Sequence, residues 1–277
     1  MNPFDIAVLG AIAGLTIFLG MPIGRLRSPS PTLRAVLNAV TIGILVFLLW
    51  DVLAHAHEPV SAALADAAIH KTGSFAPFFG LSAVMFSMFA IGLVGLAFYD
   101  VRVAKRAAVR ADLPSEHHDG ILRLSEHSSR LAFMIAVGIG LHNFSEGLAI
   151  GQSAAAGQIS LALVLVIGFG LHNATEGFGI TAPLAGDARR PSWGHLALLG
   201  LIGGGPTVVG TLLGQVVVND VVSVAFLALA AGSIVYVIIQ LIGVAIKQRH
   251  GYALYIGVTI GVIAGFVTDF IVTAGGA

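Results

Sequence analysis

The sequence has no cysteine and little charge, with fourteen basic and fourteen acidic side chains in 277 residues. The absence of cysteine excludes disulfides, thiolate metal ligands and thiol nucleophiles together, so any metal must be held by nitrogen and oxygen. Charged residues make up 10% of the chain and hydrophobic ones 57%, whereas a soluble globular protein is about a quarter charged. That shortage excludes a soluble protein of this size. The formal net charge of zero also provides no basic field for nucleic acid. What is left is a chain whose side chains face lipid or other apolar helices.

One membrane-spanning helix takes about 20 apolar residues. Eight such stretches occur, at about 4–24, 33–57, 76–99, 129–152, 158–183, 193–217, 221–246 and 252–274. The expected fold is therefore an all-α integral membrane protein, a single transmembrane domain over residues 1–277 with one long polar loop at about 101–128. The first stretch lacks a basic leading region and a small-residue cleavage site, so it is expected to stay as a span. Arg25, Arg27 and Arg34 lie around the first loop, Arg102 to Arg130 around the third, Arg189 and Arg190 in the fifth, and Lys247 and Arg249 in the seventh. Lys71 alone falls in an even-numbered loop. The positive-inside rule makes the odd loops cytoplasmic and puts both termini outside. One span more or fewer would scatter these charges over both sides, so the asymmetry also supports the count of eight.

Glycine occurs 35 times. Gly257, Gly261 and Gly265 share one face of the last span, as Gly10 and Gly14 do in the first and Gly210 and Gly214 in the sixth. Such faces let another helix approach closely.

The chemistry is concentrated in a repeat. Gly-Ile-Gly-Leu-His-Asn-Phe-Ser-Glu-Gly-Leu-Ala-Ile at 138–150 lies in the fourth span, and Gly-Phe-Gly-Leu-His-Asn-Ala-Thr-Glu-Gly-Phe-Gly-Ile at 168–180 in the fifth. A carboxylate in mid-membrane costs several kcal/mol unless something offsets it, so intramembrane ionisable residues are functional by default. His142 with Glu146, and His172 with Glu176, are four residues apart and lie on one helix face. Consecutive spans run antiparallel, so the two pairs can meet near the bilayer centre. A divalent cation between two ionised glutamates and two neutral imidazoles has zero net charge, the least costly state for this set in low dielectric. Asn143 and Asn173, about 100° round the helix, offer further carbonyl oxygens or hydrogen bonds that orient the ligands. Gly147 and Gly177 are expected to let these two helices come close.

Two further groups stand out. Asp51, His55 and Glu58 share a face at the outer end of the second span and form a candidate cation entrance, with His57 pointing elsewhere. Asp269, near the outer end of the last span, is expected to be an interfacial or pairing residue. In the long loop, His117, His118 and His127 stand among acidic residues. That composition suits loose capture of a divalent cation, and equally a solvated loop. Pro183 reads as a helix terminator.

At the repeated motif the sequence resembles the Zrt/Irt-like (ZIP) family of divalent-metal transporters. The resemblance implies a ZIP-like bundle of eight spans with an inverted repeat, both termini outside, and a His-bearing cytoplasmic loop after the third span. It also implies a transport site lined by His142, Asn143, Glu146, His172, Asn173 and Glu176. The family usually has proline where this chain has Ser145 and Thr175; hydroxyls bonding back to the helix can bend it mildly instead. A family glutamate before Pro206 is replaced by Gly205, and a commonly acidic position in the seventh span by Gln240. These losses argue for one metal rather than two.

The expected function is transport of a divalent transition metal into the cytoplasm by alternating access, since inverted repeats with substrate at their interface are a transporter design. The ligand set suits Zn first, then Fe(II) or Mn, with Co, Ni or Cd also accommodated, and the lack of thiols disfavours Cu(I). The metal is substrate, and no organic cofactor is expected. The partners are the ion and the lipid bilayer, with a homodimer left open, and the expected location is the plasma membrane. A transport-inactive metal sensor and an intramembrane metalloenzyme are the alternatives. The sequence has no HExxH motif and no general base beyond the candidate ligands, so an enzyme is not expected.

Overall fold

A computed structural model describes residues 2–25, 30–111, 126–185, 190–216, 219–248 and 251–274. Among them there is no strand, and eight helices are long and apolar enough to cross a membrane. The first is broken into α1 (Pro3–Leu15), α2 (Ile17–Gly20) and a 3-10 turn, Met21–Arg25. The others are α3 (Pro31–Ala65), α4 (Ala76–Ala111), α5 (His127–Ala155), α6 (Ile159–Thr181), α7 (Trp193–Gly214), α8 (Asp220–Gln248) and α9 (Gly251–Ala274).

Local chemistry sets several helix ends. Asn2 accepts from Asp5 N at 2.8 Å, Ser30 from Leu33 N at 3.1 Å and Ser192 from His195 N at 3.0 Å, each satisfying a donor that the first turn leaves without a partner. Pro3 and Pro31 stand at the start of α1 and α3, where a missing N–H costs nothing. The turn between α5 and α6 is only a few residues long and needs Gly157 at φ +79°, a backbone state that glycine adopts without penalty. At Pro183 the α-helix gives way to the 3-10 turn Ala182–Leu184, as a terminator should.

Two helices run beyond their apolar stretches. α3 continues through Pro59 to Ala65 and then into a π-helical turn, Asp66–His70, which ends at Lys71 with φ 56°. α4 continues to Ala111. Hydropathy marks where a helix meets lipid and is silent on where it stops in water.

The helices sort into two bundles of four spans. α1/α2, α5, α6 and α7 pack together, and so do α3, α4, α8 and α9. In lipid no hydrophobic force drives helices together, so close approach over small residues supplies the packing. Within the first bundle, a Cβ on Gly14 would strike the backbone of Gly204, one on Gly147 that of Thr207, and one on Gly177 that of Ile17. Within the second, Gly43 faces the backbone of Gly261, and Gly92 that of Leu229. The face made by Gly257, Gly261 and Gly265 seats α3, and Gly210 and Gly214 seat α5. The expectation for Gly147 and Gly177 is corrected here: they admit α7 and α2, not one another. At the seam between the bundles Gly138 lies against the Val237 side chain and Ser233, and Gly179 against Thr41 Cγ2. Arg130 of α5 crosses this seam to Asp100 of α4, Nε to Oδ1 2.9 Å. The Tyr236 side chain of α8 lies beside the same Asp100 and beside Gln240.

Candidate metal site

The four-residue spacing of histidine and glutamate places each pair on one helix face, and the antiparallel turn of α5 into α6 brings the faces together. His142 Nε2 lies 3.2 Å from Glu146 Oε1, and His172 Nε2 lies 3.5 Å from the same oxygen. The two imidazoles are near-parallel, with centroids 6.1 Å apart and planes 13° from one another. Ligand atoms of His142, Glu146 and His172 all fall within 4.8 Å of one another, a spread that one cation can bridge. All three side chains are almost wholly removed from solvent.

Because α5 and α6 run in opposite directions, Glu146 and His172 share one level, while His142 and Glu176 share another about 6 Å away, four residues along a helix. Glu176 is 2% exposed, is not in the three-residue group, and has both carboxylate oxygens buried with no hydrogen-bond partner from the protein. The asparagines are tied to other helices. Asn143 Nδ2 donates to Gly203 O of α7 at 3.0 Å, and Asn173 Nδ2 donates to Ala13 O of α1 at 2.9 Å. Their Oδ1 atoms remain buried and unpartnered. Buried oxygens without donors are costly, and this concentration of them beside two imidazoles has the chemistry of a cation site.

A cavity of about 420 Å³ reaches the group from one end of the molecule. Its mouth is lined by Asp51, His55 and Glu58 of α3, its floor by His142, Glu146 and His172, and Glu176 and both asparagines lie outside the lining. Asp51 and His55 are in contact, Oδ1 to Nδ1 3.5 Å, while His57 is exposed and outside the cavity. Asp269, Thr268 and Thr273 of α9 also line it. Asp269, expected from the sequence to be an interfacial or pairing residue, thus shares the cavity with Asp51. Its nearness to Asp51 follows from α9 packing along α3, which the glycine face signalled without giving the rotation.

Beyond the site, away from the mouth, the packing turns apolar. Ile17, Ile139 and Ile180 are all but completely buried and converge on Gly203. His117 and His118 lie outside the described residues. His127 is the first residue of α5, with Nδ1 3.2 Å from Arg130 Nη2, far along the helix from His142. Gln240, at the position where acidic residues are common, takes part in the Tyr236 cluster described above. A Cβ on Gly205 would meet nothing within 4 Å.

The sequence profile of the family described as ZIP Zinc transporter matches residues 97–268, more than half of the chain. No curated protein matches it.

Proposed function

Because the chain belongs to the ZIP family and is a multi-pass membrane protein that transports divalent metal, we propose that its substrate passes through the site formed by His142, Glu146 and His172. The observation that carries this reading is the convergence of these three side chains on the floor of a cavity whose mouth bears carboxylates. Asp51 and Glu58, with His55 between them, draw the cation in and replace part of its hydration. Glu146 and His172 take it first, and His142 completes a two-nitrogen, one-carboxylate set. Glu176, one level deeper, supplies the second negative charge that makes the loaded site neutral. Asn143 and Asn173 orient these ligands and present their free carbonyl oxygens.

Release on the other side requires the isoleucine seal to open. Each bundle is held together by backbone-to-backbone glycine contacts, which suits movement of one bundle against the other, the basis of alternating access. The mouth lies at the end opposite the arginine-bearing loops, so transport runs from outside to cytoplasm, with both termini outside and the plasma membrane as the site of action. Zinc is the first-choice substrate for imidazole and carboxylate ligands, with Fe(II) and Mn(II) next.

The test is uptake of Zn, Fe(II), Mn and Cd into proteoliposomes by wild type and Glu146→Ala. Saturable uptake that the variant lacks supports the midplane site and ranks the metals. Equal uptake by both proteins sinks it. Tight binding to both without movement of metal reopens the sensor and enzyme readings.

A further inference from the structure

Ser145 and Thr175 hold the same place in the repeat, one residue before the glutamate, yet their hydroxyls are used differently. Thr175 is exposed, and its Oγ1 donates to His172 O at 2.7 Å, so the helix itself satisfies it. Ser145 is 8% exposed, its Oγ is buried with no hydrogen-bond partner, and it lines the cavity with His142, Glu146 and His172. The same back-bond to the preceding turn is open to a serine and is not made. A buried polar atom left free beside a ligand group is a place where the substrate, and not the protein, completes the hydrogen bonding.

We propose that Ser145 is a specificity-determining residue of the transport site, its hydroxyl holding the oxygen shell of the bound cation and favouring cations that keep water. This rests on the reading of His142, Glu146 and His172 as that site. Two imidazoles and one carboxylate nearly complete the four-coordinate tetrahedral sphere that Zn(II) takes in proteins. A cation that prefers six-coordinate oxygen-rich geometry, such as Mn(II), must retain several waters there. A hydroxyl both donates and accepts, so Ser145 can accept a hydrogen from a metal-bound water or give its own lone pair. Proline at this position offers neither. The gain is larger for the ion with more water to hold, so Ser145 shifts the balance from Zn(II) toward Mn(II).

The experiment measures uptake of Mn(II) and Zn(II) by the full chain in proteoliposomes, with wild type, Ser145→Ala, Ser145→Thr and Glu146→Ala in parallel. Loss of one hydrogen bond to a charged shell predicts that Ser145→Ala lowers kcat/KM for Mn(II) about tenfold and for Zn(II) under about twofold. Ser145→Thr, which keeps the hydroxyl, retains the wild-type Mn-to-Zn ratio. An unchanged ratio in Ser145→Ala, with Glu146→Ala inactive toward both metals, overturns the role of Ser145 and leaves the site standing. Wild-type uptake by Glu146→Ala overturns the site and this inference with it. Should Ser145→Ala move neither metal, calorimetric binding of Mn(II) and Zn(II) to the purified variant decides: selective loss of Mn(II) affinity supports the proposal, and equal loss of both overturns it.

Discussion

The two copies of the motif are identical at histidine, asparagine and glutamate, but the fold gives them unequal work. In α5, Glu146 is the one carboxylate in the ligand group and lies on the cavity floor; in α6, Glu176 is buried beneath it, outside the cavity. Asn143 is fastened to α7 and Asn173 to α1. Gly147 admits α7, and Gly177 admits α2. A repeat placed antiparallel cannot present both copies to one opening in the same order, because the glutamate lies nearer the opening in one helix and the histidine in the other. Sequence symmetry thus becomes structural asymmetry.

The sharpest way to break this comparison is to remove each glutamate. Glu146→Ala is expected to lower zinc kcat/KM by more than about a hundredfold, beyond the loss of a supporting hydrogen-bond partner at a metal site, while Glu176→Ala costs about tenfold. Initial uptake rates in proteoliposomes measure both, and equal losses would erase the distinction. Next come the glycines. Gly147→Val and Gly177→Val each drive a side chain into a neighbouring helix backbone and are expected to destabilise by about 3 kcal/mol or more. Unfolding in detergent reads this, and a variant as stable as wild type would mean that the helices are not so close. Smaller again are the asparagines. Asn143→Ala and Asn173→Ala each remove a buried hydrogen bond to a carbonyl and should cost about 1–3 kcal/mol in the same assay. Because the partners are on different helices, the two losses should add in the double variant. The smallest effect is expected at Thr175→Ala, which removes a local bond on an exposed side chain and should change stability by about 0.5 kcal/mol or less and leave uptake unchanged. A clear loss of uptake there would show that the α6 hydroxyl matters to the site after all.

Much of this was legible in the sequence. Eight apolar stretches appear as eight spanning helices, because a bilayer demands internally satisfied backbone over a fixed thickness. The His-Asn-x-x-Glu spacing announced a shared face on each helix, and His142, Glu146 and His172 come together while Glu176 stays outside the group. Asp51, His55 and Glu58 share the cavity mouth, as their four-then-three spacing implies. Other features were not legible. The extensions of α3 and α4 lie beyond the apolar stretches and so have no hydropathic mark. Pro59, beyond the apolar stretch, sits inside α3. Gly147 and Gly177 signal a close neighbour but not which one.

The sequence by itself determined the all-α membrane architecture, the two His–Glu pairs and the glycine faces, because periodicity along one helix fixes which residues lie on the same side. Only the tertiary structure decided which neighbour each glycine admits, that Asp269 joins Asp51 at the cavity, that Glu176 lies below the floor, and that Ser145 and not Thr175 turns its hydroxyl inward. Each of these depends on the rotation and depth of one helix against another, which are set by packing among all eight spans.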